Sequence, residues 1–83
     1  MNGGKYASNV ARGTMPDAES ATEFILIKNV GELRATYQIR LTTYFAVQSS
    51  RKLHIYVPKE CRIHTSLAKL IEETKDTIII SRG

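Results

Sequence analysis

The stretch LRATYQIRLTTYFAVQ, residues 33–48, decides how this chain is read. Its odd positions are Leu33, Ala35, Tyr37, Ile39, Leu41, Thr43, Phe45 and Val47; its even positions are Arg34, Thr36, Gln38, Arg40, Thr42, Tyr44, Ala46 and Gln48. A period of two sends successive side chains to opposite sides of an extended backbone. The stretch therefore reads as a strand, or a bent pair of strands, with one apolar and one wetter face. Fully extended at about 3.3 Å per residue, it would reach roughly 50 Å, longer than so small a domain is wide. Either it bends at a bulge or part of it pairs with another chain, and the second outcome makes a homodimer.

Toward the N-terminus, Phe24-Ile25-Leu26-Ile27 is apolar at consecutive positions, as in a strand covered on both faces. Asn29-Val30-Gly31 suits a three-residue hairpin with Gly31 in the left-handed region, setting Lys28 opposite Glu32 and Ile27 opposite Leu33. Toward the C-terminus, alternation resumes after Ser49-Ser50-Arg51, with Leu53, Ile55 and Val57 on one side and Lys52, His54 and Tyr56 on the other. An antiparallel register of Val47 with Leu53 sets Ala46 against His54 and Tyr44 against Tyr56. Pro58 cannot donate to a ladder and ends the strand.

Beyond Pro58, Thr65 or Ser66 reads as a helix cap, and Leu67, Leu70, Ile71 and Thr74 recur at helical spacing. Thr77 to Ser81 reads as a short β-branched strand, placed by a right-handed return beside Phe24 to Ile27. The expected fold is α+β: a three-stranded antiparallel meander followed by one helix packed on its apolar face and a short C-terminal strand. The order is strand, strand, strand, helix, strand.

Met1 to Thr22 holds no Leu, Ile or Phe but has Gly3, Gly4, Gly13 and Pro16. Such a segment buries too little apolar area to offset its ordering entropy, so residues 1–21 are expected to be a flexible arm and residues 22–83 one small α+β domain. The chain of 83 residues, 42% hydrophobic and 24% charged, is too short for a large multistep enzyme and excludes collagen-like or wholly disordered classes. Its one cysteine, Cys61, closes no internal disulfide, which points to a reducing cytoplasm. The runs Phe24 to Ile27 and Ile78 to Ile80 fall far short of the roughly 20 residues of a membrane helix, and residues 1–22 lack the apolar centre of a signal peptide.

The net charge of +4 is local: Arg51, Lys52, Lys59 and Arg62 against Glu60 give +3 between Arg51 and His64. In the meander, Arg34, Arg40, Tyr44, Arg51, Lys52, His54 and Tyr56 form a basic face carrying tyrosines. Aromatic rings stack on bases and cations follow phosphates, so these seven residues are the candidate nucleic-acid-binding site. The preferred expectation is a small non-enzymatic domain that binds nucleic acid and forms a homo-oligomer. The alternative is a protein-binding or dimerising accessory subunit, joined through a sheet edge at Lys52 to Val57 or face to face through the apolar corner of Phe24 and Leu26. A second alternative is a small ribonuclease, with Arg40, Tyr44, Lys52, His54 and Tyr56 supplying acid, base and charge. Cys61 and His64 make a C-x-x-H spacing, but a structural zinc wants four ligands and His54 is the only other strong donor, so neither metal nor cofactor is expected. The five glycines have no phosphate-loop spacing.

Overall fold

The computed structural model describes residues 15–83, and it resolves the alternating stretch into something other than a strand. Residues 33–48 divide between the end of β3 (Glu32–Leu33) and a helix, α1 (Tyr37–Gln48). The buried residues of α1 are Ile39, Thr42, Thr43 and Ala46, a spacing of i, i+3, i+4, i+7 that is one stripe of a helix. Two members of that stripe are threonines. Each hydroxyl donates back to a carbonyl four residues earlier, Thr42 to Gln38 and Thr43 to Ile39, at 2.6 Å, so both can be buried without an unmet donor. Thr36 caps the helix by accepting the Ile39 N–H. The strand expectation failed because half of the buried face is written in threonine, while the apolar Tyr37 and Val47 face solvent.

The main sheet runs β1 (Ala18–Glu19), β2 (Glu23–Ile27), β4 (Lys52–Val57), β6 (Ile78–Arg82), in that order across the sheet. β2, β4 and β6 are mutually parallel, and β1 lies antiparallel to β2. A second, two-stranded parallel ladder joins β3 to β5 (Arg62–Ile63). The chain thus makes strand, short strand and helix twice before β6. The second helix is α2 (Thr65–Thr74), and a 3₁₀ turn (Lys75–Thr77) leads into β6. The fold is α+β with two helices and six strands among the described residues, which replaces the antiparallel meander. Parallel neighbours need a crossover between them, and α1 and α2 are those crossovers.

Several local expectations change with the topology. The segment after β2 is no hairpin: Gly31 has no positive φ, and Ile27 lies beside Tyr56 rather than Leu33. β4 occupies the sheet interior, so Lys52 to Val57 offers no edge for pairing. β6 lies beside β4 and not beside β2. The helix cap is His64, whose Nδ1 accepts the Ser66 N–H at 3.0 Å, so Thr65 and Ser66 are already helical. β4 does stop at Val57, ahead of Pro58.

The core lies on one side of the main sheet. Phe24, Leu26, Leu53, Ile55, Val57 and Ile78 point there and meet Ile39 and Ala46 of α1 and Leu67 of α2. Leu26, Leu53, Ile55, Ile39 and Leu67 are fully excluded from water, each contributing about 1.5–3 kcal/mol by burial. Residues 1–14 of the expected arm lie outside the described residues. Its remainder includes β1, held by Asp17, whose N–H donates to Ile25 O and whose carboxylate accepts the Ile27 N–H at 2.7 Å. No helix among the described residues is long and apolar enough to cross a membrane.

Candidate functional site

Because both helices pack on the side of Leu53 and Ile55, the alternate residues of the same strands form a second sheet face that no described element covers. The register aligns this face in rows: Glu23 beside Lys52, then Ile25, His54 and Ile79, then Ile27, Tyr56 and Ser81. Ile27 is 65% exposed, Tyr56 42% and Ile79 40%. Parallel sheets usually have both faces covered, so an open face carrying three isoleucines and a tyrosine is out of the ordinary.

His54 sits at the centre of that face. Its Nδ1 is 3.1 Å from Glu23 Oε1 and its Nε2 is 2.7 Å from Ser81 Oγ, so one imidazole links all three parallel strands. A carboxylate only accepts, so in the neutral ring Nδ1 carries the proton donated to Glu23, and Nε2 accepts the Ser81 hydroxyl. The Tyr56 ring stacks on the imidazole at 4.4 Å between centroids and 14° between planes. The connectivity of Ser81, His54 and Glu23 is that of a nucleophile, a base and an orienting acid. Among the described residues it lies on the open sheet face, whereas acyl transfer needs an enclosing pocket and anion-binding donors. A cleft of about 270 Å³ lies instead at the carboxyl ends of β2, β4 and β6, lined by Ile27, Lys28, Tyr56, Pro58 and Gly83, and Ser81 takes no part in it.

The seven residues singled out from the sequence separate into two layers. Lys52, His54 and Tyr56 share the open face. Arg34, Arg40 and Tyr44 belong to the β3–α1 segment and α1: Arg34 pairs with Glu32 at 3.4 Å, Arg40 Nε donates to Ala35 O at 2.9 Å, and exposed Tyr44 accepts from Gln48. Arg51 stands where β4 begins, 3.1 Å from Glu19 Oε2, with its guanidinium 4.8 Å over the Phe24 ring. Lys52 Nζ donates to Asp76 O at 2.7 Å. Five of the six nominated side chains other than Tyr56 thus bond within the chain through a charged or ring nitrogen, and the sixth, Tyr44, through its hydroxyl.

Sequence reasoning missed Glu23, Ile25, Ile27, Ile79 and Ser81. The signal was present: Glu23, Ile25 and Ile27 alternate with buried Phe24 and Leu26, and a parallel register would have set them beside Lys52, His54 and Tyr56. Cys61 is buried, and His64 serves as the half-buried α2 cap. Among the described residues no three His, Cys, Asp or Glu side chains gather as a metal site. No family model, curated protein or solved structure matches the chain, so this face is read on its own chemistry.

Proposed function

We propose that the chain is a non-enzymatic binding module whose working surface is the open sheet face, and that the partner presents an apolar protein surface. The observation that carries this reading is the set of Ile25, Ile27, Tyr56 and Ile79 around His54 on a parallel sheet face that no described element covers. Burying them supplies the second covering layer that parallel sheets otherwise have within their own fold. The charged members of the face, Glu23 and Lys52, cancel, which suits an apolar protein surface better than a phosphate backbone. A single, buried cysteine fits a reducing compartment such as the cytoplasm.

The test is native purification of the tagged full chain beside a variant carrying Ile27→Lys and Ile79→Lys. A stoichiometric protein partner that survives nuclease treatment and is lost in the double variant is the expected result. Identical capture by both chains, or release by nuclease, would overturn it.

A second reading, nucleic-acid binding, is favoured by one observation: the exposed Tyr56 ring, stacked on His54, offers a base-stacking surface near the carboxyl end of β4, with Lys52 at the other end of the strand. Fluorescence titration with single- and double-stranded oligonucleotides decides it. Affinity that falls as salt rises and is lost in Tyr56→Ala supports this reading, and absence of binding at low salt ends it.

A further inference from the structure

β6 is the outer strand of the main sheet, and β4 is its hydrogen-bonded neighbour there. Gly83 N–H donates to Val57 O at 3.0 Å, and backbone direction alternates along a strand. Ile79, Ser81 and Gly83 therefore turn their N–H and C=O groups inward to β4, and Ile78, Ile80 and Arg82 turn theirs outward along the edge. The opposite edge is guarded differently: β1 is two residues long, contains Glu19 and follows directly on Asp17. Short length and charge are the usual protections of a sheet edge. β6 has five residues, begins with three isoleucines and contains no proline, and its one charged side chain, Arg82, is drawn to Cys61 O.

We propose that a second copy of this chain docks on that edge, β6 running antiparallel to β6 about a two-fold axis through Ile80. The outward positions 78, 80 and 82 are symmetric about residue 80, so this register matches donor to acceptor along the whole joint. The two Ile80 residues exchange both backbone hydrogen bonds, and Ile78 of each copy does the same with Arg82 of the other. A slip of one residue would call on the groups of Ile79 and Ser81 that β4 already uses. In this register Arg82 of each copy comes alongside Ile78 of the other, two residues beyond Asp76. On the helix side the half-buried Ile80 meets its counterpart, and on the open side Ile79 lies opposite Ser81. Four strands from each copy become one continuous sheet, and the two open faces become one. The joint stands whatever that face binds.

Sedimentation of the full chain at micromolar concentration is expected to give twice the chain mass. Cys61 is the only cysteine, so a synthetic segment 61–83 carrying N-methylated Ile80 can be ligated there, removing one outward donor without altering a side chain. The dissociation constant should rise roughly a hundredfold or more, with circular dichroism and dilute thermal unfolding unchanged. Should that chain fail to fold, Ile80→Cys in a Cys61→Ala background places two thiols across the axis, with Cα atoms about 5.5 Å apart, and mild oxidation should link them. A monomer at every concentration would overturn the proposal. A dimer that survives N-methylation and gives no Ile80 cross-link, or one that Ile27→Lys alone abolishes, would do the same.

Discussion

Glu23 and His54, 31 residues apart in sequence, stand on neighbouring parallel strands with Glu23 Oε1 3.1 Å from the His54 Nδ1. The pair ties β2 to β4 on the face that the helices leave open. A double-mutant cycle with Glu23→Ala and His54→Ala, followed by urea unfolding, should give a coupling of about 0.5–1 kcal/mol, the size typical of a partly exposed pair. A coupling of zero would mean that the two side chains do not hold one another.

Ser81 completes the same line of side chains, and its role is to satisfy the ring. Ser81→Ala should lower stability by about 1 kcal/mol and leave the fold intact, as read by thermal unfolding. Incubation of the native chain with a fluorophosphonate probe should leave Ser81 unlabelled; stable phosphonylation there would show an activated hydroxyl and contradict this assignment.

The threonines buried under α1 make a second forecast. Thr43 hides its hydroxyl in the core and returns it to Ile39 O, a carbonyl placed to accept the helix's own N–H bond as well. Thr43→Val removes the buried polar group at nearly constant volume, so the midpoint should rise by roughly 2–6 °C in differential scanning calorimetry. A fall would show that the hydroxyl bond outweighs its burial.

In the core, Ile55 lies at the middle of the central strand with no exposure. Ile55→Ala should cost about 2–5 kcal/mol, enough to leave so small a fold largely unfolded at 37 °C, measured by chemical denaturation at lower temperature. Ile27→Lys, on the open face, should shift stability by no more than about 0.5 kcal/mol. Equal damage from both substitutions would contradict the placement of the core on one side of the sheet.

What the residues disclosed and what they concealed follow from one difference. Leu53, Ile55 and Val57 alternate with Lys52, His54 and Tyr56 in a half-covered strand, and Leu67, Leu70 and Ile71 repeat at helical spacing; both elements lie where these patterns put them. In α1 the buried stripe of Ile39, Thr42, Thr43 and Ala46 is no more apolar than its neighbours, and alternation over the same residues looked cleaner. Reading that helix as a strand supplied a hairpin partner for Phe24 to Ile27 and made every pairing antiparallel. One element type therefore determined the whole topology. Lys52, His54 and Tyr56 still share a face because they share a strand, whereas Arg34, Arg40 and Tyr44 lie with the β3–α1 segment and α1.

The ladder of β3 and β5 has an electrostatic consequence. It holds the start of α1 against the start of α2: His64 N–H donates to Leu33 O at 2.9 Å, and Ala35 N–H donates to Ser66 Oγ at 3.1 Å. Neither helix has an acidic residue in its first turn, so two partial positive poles lie together, and Glu32, paired with Arg34 and beside Arg62, offsets only one of the two guanidinium charges nearby. The ladder works against this repulsion, and mobile ions screen it. Added sodium chloride should accordingly make the native state harder to unfold, with its largest effect below physiological ionic strength.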